Sequence, residues 1–507
     1  MAPRSPNIDA FAANLASTES WLQPFHGFGP DNFLVGVPEF SFDAYHGWLH
    51  DRFPPNRFRQ LQEKMDLPTL YAIGAFVQAL GQNPGLEEVL AGLGTRAHVY
   101  VGTGLGAIGT IADAALGLAR AQRRWDRFWA ERNPEISLAL DGPAGAPAAD
   151  LPADPATVPA EDRADAEDAW YHYWAGRSPS LHEYLRELGE IEALGVDGDV
   201  ERGKVSVLKE KQRRHGQLLK KWGAPAPPWQ SVSANLVWNI GNTPAAQITM
   251  LGRITGLSFA PVAACSTFGV ALKLGMDAIR RGEADAVVVG ATDPPPHPLS
   301  VGAFYAARVI SADLGVSKPL TTLRGTHVAG GTALWILGDL EKMTARGFKP
   351  LGMEPLAVGV SSDADHIITP STEGPTAAIH QAFAEAGVQP ADIATWDLHA
   401  TATPGDFKEV QTLRGVVPDS VLVTARKGTF GHGMAAGGGW ELTAQYLGYE
   451  QGRLFPTPLH PNELNHSIGE LHGAYVFDEA CPVKKGPAGK LSMGIGGINA
   501  CVISRPW

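Results

Sequence analysis

The sequence predicts an α/β fold carrying a helical insertion. Two observations predict it. Strand and helix patterns alternate steadily from Trp229 to the end of the chain, and the stretch 135–230 interrupts the fold with loop and helix patterns alone. Ala97–Gly102 (AHVYVG) is the first convincing strand, β-branched and aromatic before a glycine. A helix follows from residue 104 to about 131. Residues 137–159 are rich in Pro and Ala and read as a linker. Helical patterns come next at 161–174 and 181–194. Val200–Trp222 is a third helix, with eight Lys/Arg against two Glu. Beyond the insertion, 247–257 is helical and 258–264 extended. Residues 266–282 form a helix with Phe268, Leu272, Met276 and Ile279 at helical spacing and Gly282 as its cap. The unbroken apolar run 286–290 (AVVVG) is a strand buried on both faces. Later strands fall at 332–337, 395–398, 421–424 and 490–493. The alternation implies a largely parallel sheet with covered faces.

Composition excludes several classes. The chain has 507 residues, with 44% hydrophobic and 19% charged, enough to bury a sizeable core. A net charge of −12 argues against non-specific nucleic-acid binding. Three cysteines cannot build a disulfide framework, and their scatter does not suit a structural zinc site. No run of 18 apolar residues and no signal-peptide pattern is found, so no membrane span is expected and the expected location is the reducing cytoplasm.

Chemistry concentrates at strand ends. Cys265, in PVAACSTFG, sits where a strand ends and a helix begins. Helix amides and the helix dipole there would lower the thiol pKa and bind an oxyanion. His399 follows one strand (DLHATATPGD) and His432 stands in a turn after another (RKGTFGHG). Residues at the carboxyl ends of strands converge on one crevice in such sheets, so the three can meet. Gly104-Leu-Gly106-Ala-Ile-Gly109 matches the dinucleotide spacing GxGxxG. No strand ending in an acidic residue follows about 20 residues later, so close helix packing explains these glycines better. The run 494–497 is a glycine-rich turn after a strand, where glycine allows close backbone approach.

These pieces, in this order, resemble the β-ketoacyl-acyl-carrier-protein synthases, and within them the elongating condensing enzymes with a Cys–His–His site. GEADAVVVGATD after the cysteine helix, FYAARVIS at 304–311, VSSDADHIITP at 360–370 and HATATP at 399–404 carry the resemblance. So do Lys427, five residues before His432, and Glu441, nine after it. It covers about 95–120 and 229–507. It implies a thiolase-like duplicated α/β core, in layers α-β-α-β-α. Residues 1–134 and 231–300 would form the first half, 135–230 the insertion, and 301–507 the second half with both histidines. The chain departs from the family in several places. The opening strand is not recognisable, the insertion has no counterpart, and the gating position, usually aromatic, is Ile495. A glycine replaces an acidic residue expected near 324–331, and PGD at 404–406 is one residue short.

The resemblance also implies a reaction and its parts. Cys265 would take an acyl group from the phosphopantetheine of an acyl carrier protein, with no other cofactor. Amides of Cys265 and Ile495 would form the oxyanion hole. His399 and His432 would stabilise the enolate left when a malonyl-type extender loses carbon dioxide, and its attack would give a 3-oxoacyl product. Lys427 and Glu441 would order the histidine loop. Thr401 and Thr403 would bind pantetheine, and Phe268, Phe304 and Ile495 would line or gate the acyl pocket. Family members are usually dimers, here with itself or with a related subunit. Carrier proteins are acidic, which makes Lys211, Arg213 and Arg214 candidate docking residues. Three other readings stand beside this one. They are an acyltransferase or cyclase with another nucleophilic acceptor, a non-catalytic partner holding an acyl chain, and a cysteine hydrolase using Asn499.

Overall fold

A computed structural model describes residues 1–29, 33–136, 150–196, 200–367 and 371–507, with the side chains of 200–203 left aside. Residues 137–149 of the expected linker and 368–370 of the VSSDADHIITP segment lie outside them. The chain divides into two compact units, residues 1–109 with 237–507, and residues 110–236.

The larger unit holds two sheets. Its site-building strands are β1 (Ala97–Gly102), β2 (Ser258–Phe259), β3 (Ala286–Asp293), β4 (Gly331–Gly338), β5 (Met353–Ser362), β6 (Thr395–Asp397), β7 (Leu422–Thr424), β8 (Ala488–Gly494) and β9 (Ile498–Pro506). The first sheet has the order β2-β1-β3-β4 and the second β5-β9-β8-β6-β7. Reading β7, β6, β8 and β9 against β2, β1, β3 and β4 brings out the duplication, since the order is the same. The second sheet then has one strand more, β5 beside β9. Among the described residues no strand lies in the matching place beside β4. There Thr332 alone is met, by the backbone of Met1.

Both sheets are mixed rather than largely parallel. β4 runs antiparallel to β3, and β9 antiparallel to both of its neighbours. The chain turns straight back after β8 through a glycine hairpin, which leaves no length for a crossover. The pairing of β4 with β3 also moves the boundary between halves. The first half runs through Gly338 and does not end at 300.

Strand periodicity explains the layers. On β3, Val287, Val289 and Ala291 face one core while Ala286 and Val288 face another. On β9, Ala500 and Val502 join the first of these, and Cys501 and Ile503 a third. The shared core between the sheets holds two helices, Thr267–Arg280 and Met434–Glu450. Outside the first sheet lie Leu67–Gln82 and Thr243–Gly252, and outside the second Glu373–Ala386. This is the α-β-α-β-α layering that the resemblance implies. The helix expected at 247–257 runs instead from Thr243 to Gly252, because Arg253 turns left-handed (φ 51°) and ends it.

The smaller unit is helical. It takes most of Ile108–Ala130, with Arg163–Gly176, Pro179–Glu192 and Val200–Trp222. It begins at Thr110 rather than 135. The reason is packing: Trp125 and Trp129 of the first helix share a core with Trp170, Trp174, Tyr184, Leu188 and Leu218. Among the described residues no helix is long and apolar enough to cross a membrane.

Candidate active site

The turn that carries Cys265 is built by a backbone that helix formation alone would not give. Ala264 adopts φ 47°, a left-handed conformation that costs an L-residue about 1–2 kcal/mol. Ala264–Ser266 is a short 3-10 turn, and the α-helix proper, α1 (Thr267–Arg280), starts two residues after Cys265. Thr267 Oγ1 accepts from the Ala263 amide at 2.9 Å and donates to the Ala264 carbonyl at 2.7 Å, locking the turn. Ser266 Oγ reaches the carbonyls of Ser492 (3.1 Å) and Ile498 (2.7 Å), on β8 and β9. The turn is thereby stitched to the glycine hairpin at 494–497. Gly494 is needed there, since a Cβ would fall 2.8 Å from the Ala263 carbonyl. The amides of Ile495 and Cys265 face the Cys265 sulfur.

The expected depression of the thiol pKa is not what this environment produces. Burial pushes the Cys265 thiol up to about 11, against the opposing pull of the Ile495 amide and the Lys427 charge. Desolvation outweighs the helix because the sulfur is sealed in while the helix begins beyond it. The resting thiol is protonated and needs a base. Alkylation by iodoacetamide is therefore expected to be slow at neutral pH and to keep rising toward about pH 11. A plateau reached near neutrality, measured by intact mass, would contradict this.

His399 and His432 meet, with ring centroids 5.3 Å apart and planes at 81°. Burial and the positive charge of Lys427 hold both imidazoles well below the ordinary histidine range, so both are neutral. His432 Nδ1 accepts the Met434 amide at 3.2 Å, which leaves the proton of the neutral ring on Nε2. The segment of His399 is held from both sides. Glu409 Oε1 takes the His399 amide at 2.6 Å and Oε2 the Ala400 amide at 2.8 Å. Lys427 Nζ donates to the His399 carbonyl and lies 2.6 Å from Glu441 Oε1. Lys427 acts electrostatically on Cys265, His399 and His432 alike, so one ammonium ties the three together.

The remaining expected residues fall in different places. Thr401 and Thr403 stand side by side, hydroxyls 2.9 Å apart, with Thr401 half-buried and its amide on Asp406 at 2.8 Å. Ile495 is 40% exposed, in the glycine hairpin beside the Cys265 turn. Phe304 packs with Phe25, Phe33 and Val301. Phe268 is fully buried in the core between the sheets, edge-on to Trp335 at 5.3 Å. The three candidate docking bases are paired locally, Arg213 and Arg214 with Glu210 and Lys211 with Glu192. Asn499 Nδ2 donates to Asp363 Oδ1 at 2.6 Å, so this amide braces the hairpin and is not placed as a partner for a cysteine hydrolase.

Four buried acids and bases here have no role that the sequence pattern alone announces. Asp293 Oδ1 accepts the Thr103 hydroxyl (3.0 Å) and the amides of Gly104 (2.9 Å) and Leu105 (2.8 Å), while Oδ2 accepts the Ala435 amide (2.7 Å). Two amides of the GxGxxG loop are thus spent on a protein carboxylate and not offered to phosphate. Glu409 and Asp406 are pushed up by burial to about 7 and about 6. The fourth is Lys490. A lysine inside the apolar strand 488–494 was the signal for it, since every face of that strand is covered.

A buried cysteine at a helix-entry turn, with two amides near its sulfur and two neutral imidazoles in the same neighbourhood, is an arrangement that can support acyl transfer. The profile of the Beta-ketoacyl synthase N-terminal domain matches residues 209–342, and that of the C-terminal domain residues 354–460. Over these residues the chain is similar to the β-ketoacyl synthase family. It is 29% identical over 263 residues to 3-oxoacyl-[acyl-carrier-protein] synthase 2 of Staphylococcus aureus, covering 49% of this chain and 63% of that protein. The chain thus spans less than two thirds of that curated relative. Among solved structures, the ishigamide ketosynthase/chain length factor matches with a TM-score of 0.68 at 18% identity, covering 100% of this chain and 96% of that one. A type II PKS acyl-carrier protein in complex with its ketosynthase bound to the hexaketide matches at 0.63 and 16%, covering 100% and 97%.

Proposed function

We propose that the protein is a condensing enzyme that joins an acyl group to a malonyl-type extender, both carried on phosphopantetheine thioesters of an acyl carrier protein. One observation carries the reading: a buried thiol with two amides on its sulfur stands in one electrostatic neighbourhood with two neutral, hydrogen-bond-donating imidazoles. Cys265 attacks the acyl thioester. An imidazole accepts the thiol proton, and the pantetheine thiol leaves. The amides of Cys265 and Ile495 hold the oxyanion. The malonyl thioester then enters, and His432 Nε2–H, with His399, donates to its carbonyl oxygen. Loss of carbon dioxide leaves an enolate there, a charge that exists only after the bond begins to break, so donation to it lowers the barrier. The enolate carbon attacks acyl-Cys265, and the 3-oxoacyl product leaves with the thiolate reprotonated. Thr401 and Thr403 bind the pantetheine arm, and Ile495 gates the acyl pocket.

The protein works in the cytoplasm, as its three free cysteines favour. It acts with a second copy or a related subunit. Exposed Leu257 and Val262, flanking the edge strand β2, support such a contact. The name of the ishigamide neighbour raises the non-catalytic alternative, and the intact cysteine–histidine set speaks against it.

The test offers acyl-carrier thioesters and labelled malonyl-carrier thioester together, and reads enzyme adduct, carbon dioxide and product by mass. A 3-oxoacyl product with released label supports the reading. An acyl adduct whose acyl group moves to another acceptor without label release favours the acyltransferase alternative. Charge reversal of Lys211, Arg213 and Arg214 together is expected to raise KM for the carrier by about threefold. The expectation is modest because exposed, locally paired bases contribute little each. An unchanged KM at low salt would remove this helix from docking.

A further inference from the structure

One buried ammonium takes no part in the reaction above. Lys490 stands on β8 with a side chain 1% exposed, and its Nζ lies 2.8 Å from Glu441 Oε2 and 4.0 Å from Asp397 Oδ1. It donates to the carbonyls of Leu491 (2.5 Å) and Leu398 (3.4 Å). The other oxygen of Glu441 holds Lys427, which donates to the carbonyl of His399. One carboxylate therefore carries two ammonium groups, and those two grip the carbonyls of consecutive residues. The two carboxylates nearest to Lys490 are each already paired. Asp397 already has Arg426 at 2.8 Å, and Glu441 already has Lys427. Burying an ammonium is costly, so one placed beside an already paired carboxylate needs another reason.

We propose that Lys490 is a positioning residue for decarboxylation: shared Glu441 and the Leu398 carbonyl let it fix the backbone that carries His399 and set a positive charge behind both imidazoles. This rests on the condensation reading. The charged and titratable groups around the pair are Asp397 on β6, Arg426 and Lys427 after β7, Asp406 and Glu409 on the helix Gly405–Arg414, Glu441 on Met434–Glu450, and Lys490 itself. Lys490 and Lys427 both disfavour imidazolium at His399 and His432. Removing Lys490 takes away one of these positive charges, so the imidazoles protonate at higher pH. Decarboxylation needs them neutral, so its acid limb must move up.

The experiment measures carbon dioxide release from malonyl-carrier thioester against pH, and self-acylation of Cys265, for the wild type, K490M, K490Q and K490R, with melting temperatures alongside. K490M and K490Q are expected to shift the acid limb upward by about one pH unit. Above that limb acylation stays within about threefold, since one neutral imidazole suffices as the base for Cys265 and the amides rather than the pair hold its oxyanion. K490R, which keeps the charge, restores the wild-type midpoint. Should K490M not fold, K490Q, which retains donors for the carbonyls, decides alone. Equal loss of both half-reactions with an unmoved midpoint, or no change at all, overturns the proposal. A wild type that releases no carbon dioxide overturns the condensation reading instead.

Discussion

Cys265→Ala is expected to abolish the acyl-enzyme and to lower condensation by on the order of 10^4-fold or more, the scale seen when a covalent nucleophile is removed. The argument rests on how the sulfur is placed. Its turn is fixed by Thr267 and by Ser266 bridging to β8 and β9, and a methyl group leaves those bonds untouched. Little folding stability should change, because only one buried atom is lost. Cys501 and Cys481 offer no substitute. Cys501 is fully buried in the outer core, and burial also pushes the Cys481 thiol up. Intact-protein mass after exposure to an acyl-carrier thioester reads the result. An adduct that persists on the variant would show that another group is the nucleophile.

The second large effect separates the two stages. His399→Ala is expected to cut carbon dioxide release from malonyl-carrier thioester by roughly 10^2–10^3-fold, the usual cost of losing one oxyanion donor. Acylation of Cys265 should fall far less, because the proposed mechanism gives its oxyanion to the amides of Cys265 and Ile495, which already act on the sulfur. The backbone of residue 399 keeps its anchors in the variant, since Glu409 and Lys427 bind its amide and carbonyl rather than the ring. Equal loss in both stages would mean that His399 is also the base for the thiol, and the division of roles would fall.

Much of this was legible in the residues. The alternation of patterns marked most strands of both sheets, and the run 286–290 announced its burial on both faces because no polar side chain interrupts it. Cys265, His399 and His432 could be picked out because each follows a strand. Other features were not legible. The strand Met353–Ser362 carries Glu354, Pro355, Gly359 and a polar end at Ser361 and Ser362, so its pattern is weak, and it is held by nine residues of pairing with β9. Asp293 stood within a quoted motif, yet its role depends on amides about 190 and 142 residues away. The strand pattern around Lys490 names no partner for it, because Glu441 and Asp397 come from other elements.

The order of the chemistry along the chain was set by local sequence: a cysteine before a helix, histidines after strands, glycines in the last hairpin. Local patterns suffice there because turns, caps and strand periodicity act over a few residues. The protonation of those groups was decided only by the folded molecule. Burial raises the thiol against the pull of Lys427, while burial and Lys427 together lower the imidazoles. Such energies depend on distances between residues far apart in sequence, and no pattern of neighbours along the chain encodes them.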